Sequence, residues 1–126
     1  MNATGIDHFV LTVADVSRTC AFYEILGGEV VTFGEGRKAV RFGDQKINVH
    51  PENNEFEPVA ATPTPGSGDF CLLTETPLER VEAELREHGI EIVMGPVERT
   101  GAVGPITSVY VRDPDDNLVE IARYDE

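Results

Sequence analysis

The stretch Asp113-Pro114-Asp115-Asp116-Asn117-Leu118-Val119-Glu120-Ile121-Ala122 joins an aspartate-rich turn to an apolar, partly β-branched run. Because Asp, Pro and Asn favour turns and β-branched residues favour strands, a strand is predicted after the turn. Side chains alternate along a strand, so Glu120 points away from the face of Val119 and Ile121. A carboxylate on an inner sheet face costs several kcal/mol unless it is paired or binds a cation. Glu120 is therefore either solvated or paired at a sheet edge, for example with Arg112, or a metal ligand.

The same order of predicted elements occurs twice along the chain: a strand, a helix and three further strands. In the first half, strands are predicted at residues 6–13, 29–33, 38–42 and 45–50. In the second half, they are predicted at residues 69–74, 91–94, 107–112 and 118–123, with a loop at 95–106. One helix follows Asp15 or Ser17 and stops at Gly27-Gly28; the other opens with a capping box at Thr76-Pro77 and stops at Gly89.

The two halves also match residue for residue. Leu11-Thr12 corresponds to Leu73-Thr74, and Gly27 corresponds to Gly89, at an offset of 62 positions. Self-similarity at a fixed spacing indicates duplicated units, and neither half alone could bury a sufficient core. We therefore predict a single domain over residues 1–126, with a first module at about residues 5–50, a Pro-rich linker at 51–67 and a second module at about 68–124.

Composition and charge exclude several classes of function. The formal net charge of −13 disfavours binding to nucleic acids and to anionic membranes, and it can attract a cationic ligand. No apolar run reaches the roughly 18 to 20 residues of a membrane helix, and the polar start shows no signal peptide. We expect a cytoplasmic protein whose partner is a small molecule. Cys20 and Cys71 are predicted to be reduced, buried thiols.

Two histidines are candidate partners of Glu120. His8 lies on the first predicted strand and His50 at the end of the fourth, each in an alternating pattern that lets it point inward. Two imidazoles and one carboxylate suit a divalent first-row metal with positions left open. A hydrogen-bonded core position is the alternative for each histidine, and sequence spacing does not show that the three meet. His88 ends a predicted helix, where a cation favours the dipole, and it is assigned no function.

Several motifs taken together resemble the vicinal oxygen chelate (VOC) superfamily, which includes glyoxalase I, extradiol dioxygenases and bleomycin-resistance proteins. They are residues 7–13, Ala21-Phe22-Tyr23 with Leu26-Gly27, residues 112–115 and residues 117–120. Residues 37–50 and 62–67 further resemble a subgroup of glyoxalase-domain and virulence-associated proteins. The resemblance implies an α+β fold of two βαβββ modules whose mixed sheets curl around a metal cleft.

The resemblance also implies metal ligands on the first and last strands of each module. His8, His50 and Glu120 match three such positions, and Glu120 is the candidate catalytic residue. At the fourth ligand position the family commonly has a His. Asp69 falls near this position, although the offset of 62 pairs His8 with Phe70 instead. Asp69 is thus either a ligand or a solvated carboxylate. The ion would be Zn, Ni, Mn, Fe or Co. Glyoxalase I usually has a Glu where this chain has His50, which weakens the case for that activity itself.

Basic residues are expected near the substrate. Arg37, Lys38, Arg41 and Lys46 cluster near His50 in the sequence, Asn48 shares a strand face with His50, and Arg99 lies in the predicted loop. Such groups can bind a carboxylate or a phosphate, although a solvated outer face is the simpler alternative for any one of them. Asn48, Arg41 and Arg99 are the substrate-binding candidates.

The leading hypothesis is a metal-dependent glyoxalase-like lyase or isomerase that binds a small oxygenated substrate by bidentate chelation. One alternative is an Fe(II)-dependent extradiol-type dioxygenase, because two His and one carboxylate are also its ligand set. Another is a bleomycin-resistance-like protein that sequesters a drug without catalysis. Since the family often builds its cleft across two chains, we expect a homodimer.

Overall fold

Four strands and one helix make up each half of the chain. The computed structural model describes residues 1–125 and divides the chain into two units, Met1–Gly66 and Ser67–Glu126. The first unit contains β1 (His8–Val13), α1 (Val16–Ile25), β2 (Glu29–Phe33), β3 (Arg37–Phe42) and β4 (Gln45–Pro51). The second contains β5 (Asp69–Leu73), α2 (Leu78–Glu87), β6 (Met94–Thr100), β7 (Pro105–Arg112) and β8 (Leu118–Tyr124). The predicted α+β class with two βαβββ modules is confirmed.

The two units use the same sheet topology. The strand order is β1-β4-β3-β2 in the first sheet and β5-β8-β7-β6 in the second. In each sheet the module's first and last strands pair in parallel, and the other neighbours are antiparallel. Both sheets are mixed and open. The predicted ligand positions on first and last strands are therefore on neighbouring strands within each unit.

The core of the first unit lies between α1 and one face of its sheet. That face carries Val13, Val40 and Val49, which are almost completely buried, and α1 contributes the fully buried Tyr23. Asp15 caps α1 as predicted, because its carboxylate accepts a hydrogen bond from the Arg18 N–H at 3.1 Å. Each helix has 10 residues, and no helix within residues 1–125 is long and apolar enough to cross a membrane.

The second unit repeats this arrangement with a different helix start. Buried valines on β7 and β8, including Val109 and Val119, form the apolar face, and α2 contributes Val81 and Leu85. The predicted capping box is wrong, because Pro77 stands at the N-cap and no side chain caps the helix. The Thr76 N–H instead donates to the hydroxyl of Thr74 at 3.0 Å, in the turn before the helix.

The second strand of the second unit begins at Met94, where the strand predicted at residues 91–94 ends. Residues 91–93 form no strand, and β6 instead occupies the first part of the predicted loop. The pairing of β6 with β7 shifts register between Met94 and Val97, around Pro96, which has no N–H to donate to the ladder. At Gly95 the β7 backbone comes so close that a Cβ atom would lie 2.5 Å from the Ser108 carbonyl oxygen. A packing requirement therefore displaces the strand, and Arg99 lies on a strand rather than in a loop.

The two cysteines differ in their surroundings. Both are free thiols; Cys20 is buried as predicted, whereas Cys71 is exposed, so its predicted burial is wrong. Cys71 lies on edge strand β5, which leaves one side of the residue open. Partial desolvation of the thiol, together with the nearby Glu120 carboxylate, nevertheless raises the pKa of Cys71 to about 11.

Candidate functional site

His8 stands at the start of β1 with its side chain 45% exposed. Its Nδ1 atom lies 2.7 Å from Oδ2 of Asp7, so Nδ1–H donates to the carboxylate. That hydrogen bond leaves the lone pair of Nε2 free. Metal-binding histidines are commonly oriented in this way, with the second ring nitrogen donating to a carboxylate. The surroundings of His8 therefore fit a metal ligand.

His50 is buried near the end of β4 in a cationic environment. Its ring meets Phe56 edge-on at 5.4 Å between centroids, and its Nε2 lies 3.5 Å from Nη2 of Arg37. Burial lowers the pKa of His50, the charge of Arg37 lowers this pKa further, and Glu55 opposes the shift. A metal ion on Nε2 would face the guanidinium group at close range, so these contacts favour a different role for His50.

The register between β1 and β4 separates the two histidines. His8 pairs with Lys46, whereas His50 pairs with Thr12, four positions further along β1. At about 3.3 Å per residue, the two backbone positions are about 13 Å apart. The first unit therefore does not bring the two predicted histidine ligands together.

Glu120 lies on the polar face of the second sheet, opposite the apolar face of Val119 and Ile121, as predicted. It pairs with Cys71 on β5, and its Oε2 accepts a hydrogen bond of 2.6 Å from the hydroxyl of Ser108 on β7. Ser108 is completely buried. The carboxylate of Glu120 is thus held in a fixed orientation by a neutral donor.

Asp69 shares the polar face of Glu120. Asp69 pairs with Leu118, two positions before Glu120, whereas Phe70 pairs with Val119 on the apolar face. His8 similarly lies on the face opposite Leu11 and Val13 of the first core. A shift of one residue reverses the face of a strand, so Asp69 rather than Phe70 occupies the position equivalent to His8.

The equivalence extends to the last strand of each unit. Two residues after His8, Val10 pairs with Asn48; two residues after Asp69, Cys71 pairs with Glu120. Asn48, not His50, is therefore the counterpart of Glu120. Asn48 is 5% exposed, and within residues 1–125 its side-chain oxygen has no hydrogen-bond partner.

Each unit thus offers an incomplete set of metal donors. Among residues 1–125, no group of three or more His, Cys, Asp or Glu side chains could hold a metal ion. The imidazole of His8 and the carboxylates of Asp69 and Glu120 are nevertheless chemically suitable for a divalent ion. The predicted combination of His8, His50 and Glu120 is not assembled by either unit on its own.

The aspartate-rich turn positions the strand that carries Glu120. The carboxylate of Asp113 accepts hydrogen bonds from the backbone N–H groups of Asp115 and Asn117 at 2.9 and 3.0 Å, and from the Asn117 amide at 2.8 Å. The side-chain oxygen of Asn117 in turn accepts from the N–H of Gly68 at 2.6 Å. This network ties the start of β8 to the start of β5, which places Glu120 beside Cys71.

The two predicted substrate-binding arginines are engaged within their own sheets. Arg41 is exposed and forms an ion pair with Glu29 across the β2–β3 pair. Arg99 donates from Nε to the Tyr110 hydroxyl at 2.9 Å and contacts the sulfur of Met94 at 3.5 Å. The third candidate, Asn48, lies on the face of the first sheet that also carries His50.

Ser108 was absent from the site predicted from the sequence, and Arg37 was named only as one of the basic residues near His50 and not as a substrate-binding candidate. The Arg37 guanidinium lies 4.9 Å from the ring centroid of Phe33 and 4.7 Å from that of Phe56. The sequence placed Arg37 near His50 but did not indicate that the two side chains are in direct contact. Ser108 had a weak signal, because it is a small polar residue at an alternating position in an apolar strand.

The sequence and the structure both have clear relatives. The family model of the Glyoxalase/Bleomycin resistance protein/Dioxygenase superfamily matches residues 5–121. Virulence protein STM3117 of Salmonella typhimurium is 58% identical over 94% of this chain and 83% of the relative, and Glyoxalase domain-containing protein RDO1 of Mycosarcoma maydis is 51% identical over 100% and 72%. The crystal structure of the Salmonella protein superposes with a TM-score of 0.97 at 56% identity, covering 99% of this chain and 100% of that chain. The chain therefore belongs to the Glyoxalase/Bleomycin resistance protein/Dioxygenase superfamily.

Proposed function

We propose that this protein is a metal-dependent enzyme of the lyase or isomerase type, which binds a small oxygenated substrate through bidentate chelation to a divalent ion. The supporting observation is the repeated register, which puts His8, oriented by Asp7, and the pair Asp69 and Glu120 at equivalent positions of two sheets. Members of the superfamily commonly use divalent metals. The name of the Mycosarcoma maydis relative, a glyoxalase domain-containing protein, agrees with this class.

In this proposal His8 binds the metal through Nε2, and Asp69 and Glu120 bind it through carboxylate oxygens. One nitrogen and two oxygen donors leave positions open for a substrate. His50, the other ligand candidate, is instead given a role in substrate binding, because its Nε2 faces Arg37. The proposal requires that the three donors meet between the two chains of a homodimer, because no such group of donors forms within residues 1–125 of one chain.

A bound divalent ion supplies Lewis-acid stabilisation of negative charge on the substrate oxygens. The chain supplies the proton transfer: Glu120 takes a proton from the substrate carbon next to the chelating oxygens and returns it to a neighbouring atom. The Ser108 hydroxyl keeps one oxygen of Glu120 fixed during this transfer.

The metal content of the purified protein tests this proposal. We expect about one divalent ion per chain by elemental analysis, little or none in His8→Ala and Glu120→Gln, and an affinity about 10- to 100-fold weaker in Ser108→Ala. Glu98→Gln, which removes the same charge from an exposed position of the same unit, is the matched control and should retain the metal. A wild-type protein that takes up no divalent ion would refute the enzyme proposal and favour ligand sequestration.

The reaction class is tested on the metal-loaded protein. We expect turnover of small hydroxy-ketones or of thiol adducts of 2-oxoaldehydes without consumption of oxygen. Glu120→Gln should abolish it, because a metal ligand and the proposed proton acceptor are lost together. Oxygen uptake with a catechol substrate would instead identify a ring-cleaving dioxygenase.

A further inference from the structure

Three buried polar atoms on the first sheet have no hydrogen-bond partner within residues 1–125. They are Nε of Arg37, Oδ1 of Asn48 and Nδ1 of His50. Asn48 and His50 lie two positions apart on β4, and the pairing of Lys38 with Val49 places Arg37 beside His50 on the same face. In folded proteins, buried polar atoms normally have a hydrogen-bond partner, and a buried polar group without one destabilises the fold. We name Arg37, Asn48 and His50 the Arg37 cluster.

The guanidinium group of Arg37 is fixed by aromatic rings rather than by a carboxylate. Phe33 and Phe56 flank it with centroids at 4.9 and 4.7 Å, which is favourable for a cation. No ion pair within 4.0 Å involves Arg37 in the described part of the chain. In a protein with a net charge of −13, an arginine without an acidic partner indicates a place reserved for an anion.

The contacts of His50 define which of its nitrogens carries the proton. Because Nε2 faces Nη2 of Arg37, which can only donate, Nε2 is the acceptor and Nδ1 carries the hydrogen. Burial and Arg37 lower the pKa of His50, so the ring is neutral. His50 is 4% exposed and Asn48 is 5% exposed. The cluster thus presents two N–H donors, on Arg37 and His50, and one acceptor, on Asn48.

The charge balance around the cluster suits a monoanion. The positive groups are Arg37 and Lys46, whose Nζ lies 3.8 Å from the centroid of the same Phe33 ring. Glu55 is the negative group that acts on His50. The sum is one positive charge, which matches a carboxylate better than a phosphate dianion.

We propose that the Arg37 cluster binds a small 2-hydroxycarboxylate. The carboxylate oxygens accept hydrogen bonds from Arg37 Nε–H and His50 Nδ1–H, and the hydroxyl group donates to Asn48 Oδ1. Phe56 belongs to residues 52–68, which form no helix or strand, so its ring is the part of the enclosure that can move to admit the ligand. As a statement about the substrate this inference rests on the proposed function, but the binding itself requires no metal.

Titration of the purified protein with sodium lactate, followed by calorimetry or amide chemical shifts, tests the inference. We expect saturable binding that is at least about tenfold weaker in Arg37→Gln, because a charge-assisted hydrogen bond is lost. Arg18→Gln removes the same charge from the exposed surface of α1 and should bind lactate as the wild type does. His50→Asn keeps an N–H donor near the Nδ1 position and should bind, whereas His50→Leu should not.

Arg37→Lys is a second variant for the case in which Arg37→Gln does not fold. It keeps the positive charge but loses Nε–H, so it should also bind lactate weakly. Acetate, which lacks the hydroxyl group, and inorganic phosphate should both bind more weakly than lactate. Unchanged lactate affinity in both Arg37 variants, or a preference for phosphate, would overturn the inference.

The two proposals can fail separately. Glu120→Gln should lose metal and keep lactate binding, whereas Arg37→Gln should keep metal and lose lactate binding. If the protein binds metal but not lactate, only ligand binding at the Arg37 cluster is refuted. If it binds lactate but no metal, only the proposed enzymatic function is refuted.

Discussion

The protonation of His50 is set by its immediate neighbours. The imidazole is enclosed by Phe56 on one side and faces the Arg37 guanidinium on another, and both burial and positive charge oppose its protonation. His8, four register positions away, stands half exposed beside a carboxylate. Two histidines that were both predicted as metal ligands therefore have opposite environments.

This difference predicts a pH dependence of stability that originates at His50. Its pKa in the folded protein is below the unfolded value of about 6.5, so the unfolded chain binds more protons and acid favours unfolding. The contribution of His50 is fully present above about pH 6.5 and is lost as the pH falls towards the lower folded value. In urea unfolding at a series of pH values, His50→Asn should reduce this acid-side loss. His88→Gln, at the exposed end of α2, should retain it; an unchanged profile in His50→Asn would contradict the prediction.

For single residues, the sequence predicted the sheet face on which a side chain lies better than it predicted which side chains are in contact. The inward direction of Glu120 followed from strand alternation, and Asn48 was correctly placed on the face of His50. The contact of Arg37 with His50 joins residues thirteen positions apart across a hairpin. Such a pair depends on rotamers and on Phe56 from the linker, none of which has a local pattern.

At the scale of elements, strand composition located seven of the eight strands, and Gly27-Gly28 located the end of α1. Gly28 packs so closely that a Cβ atom would lie 2.2 Å from Val40. The strand predicted at residues 91–94 lies too early, because its composition could not account for the bulge at Gly95-Pro96. The offset of 62 misaligned Asp69 by one residue, since a repeat in sequence does not define which residues face each other across a sheet.

The turn around Asp113 leads to a prediction about strand β8 and the stability of the fold. Asp113 is 4% exposed and its carboxylate accepts three hydrogen bonds from the turn that leads into β8. Asp113→Ala leaves these donors unpaired and should reduce the free energy of unfolding by about 2–4 kcal/mol, measured by urea unfolding. Asp116→Gly in the same turn replaces a residue with φ of 66° and should leave stability equal or slightly higher. Equal stability of Asp113→Ala and the wild type would show that the turn is not needed for β8.

At the scale of the whole molecule, duplication was visible in the sequence and each unit has the expected order of elements. The assembly of the metal site was not predictable in the same way. His8 belongs to one unit, whereas Asp69 and Glu120 belong to the other, and neither unit contains a sufficient donor set. The amino-acid pattern identifies donors, while the partner of each donor depends on how units and chains associate.

The expected homodimer, with its metal site shared between chains, can be tested by complementation. If His8 of one chain meets Asp69 and Glu120 of another, mixing His8→Ala with Glu120→Gln and allowing subunits to exchange regenerates one intact site per mixed dimer. Random exchange should then restore roughly a quarter of the wild-type activity. A mixture that stays inactive while mixed dimers form would contradict a metal site shared between the two chains.

The hydrogen bond from Gly68 to Asn117 has a consequence for the segment that joins the units. This amide and the Leu118 N–H, which donates to the Gly68 carbonyl at 3.0 Å, hold Gly68 against the start of β8, next to the first pair of the β5–β8 ladder. We therefore expect residues 57–63 to tolerate changes in length or composition without moving Glu120, as long as Gly68 and Asn117 are kept. Variation between related proteins can accumulate there at little cost, and an inserted tag or probe would be best tolerated at the same place.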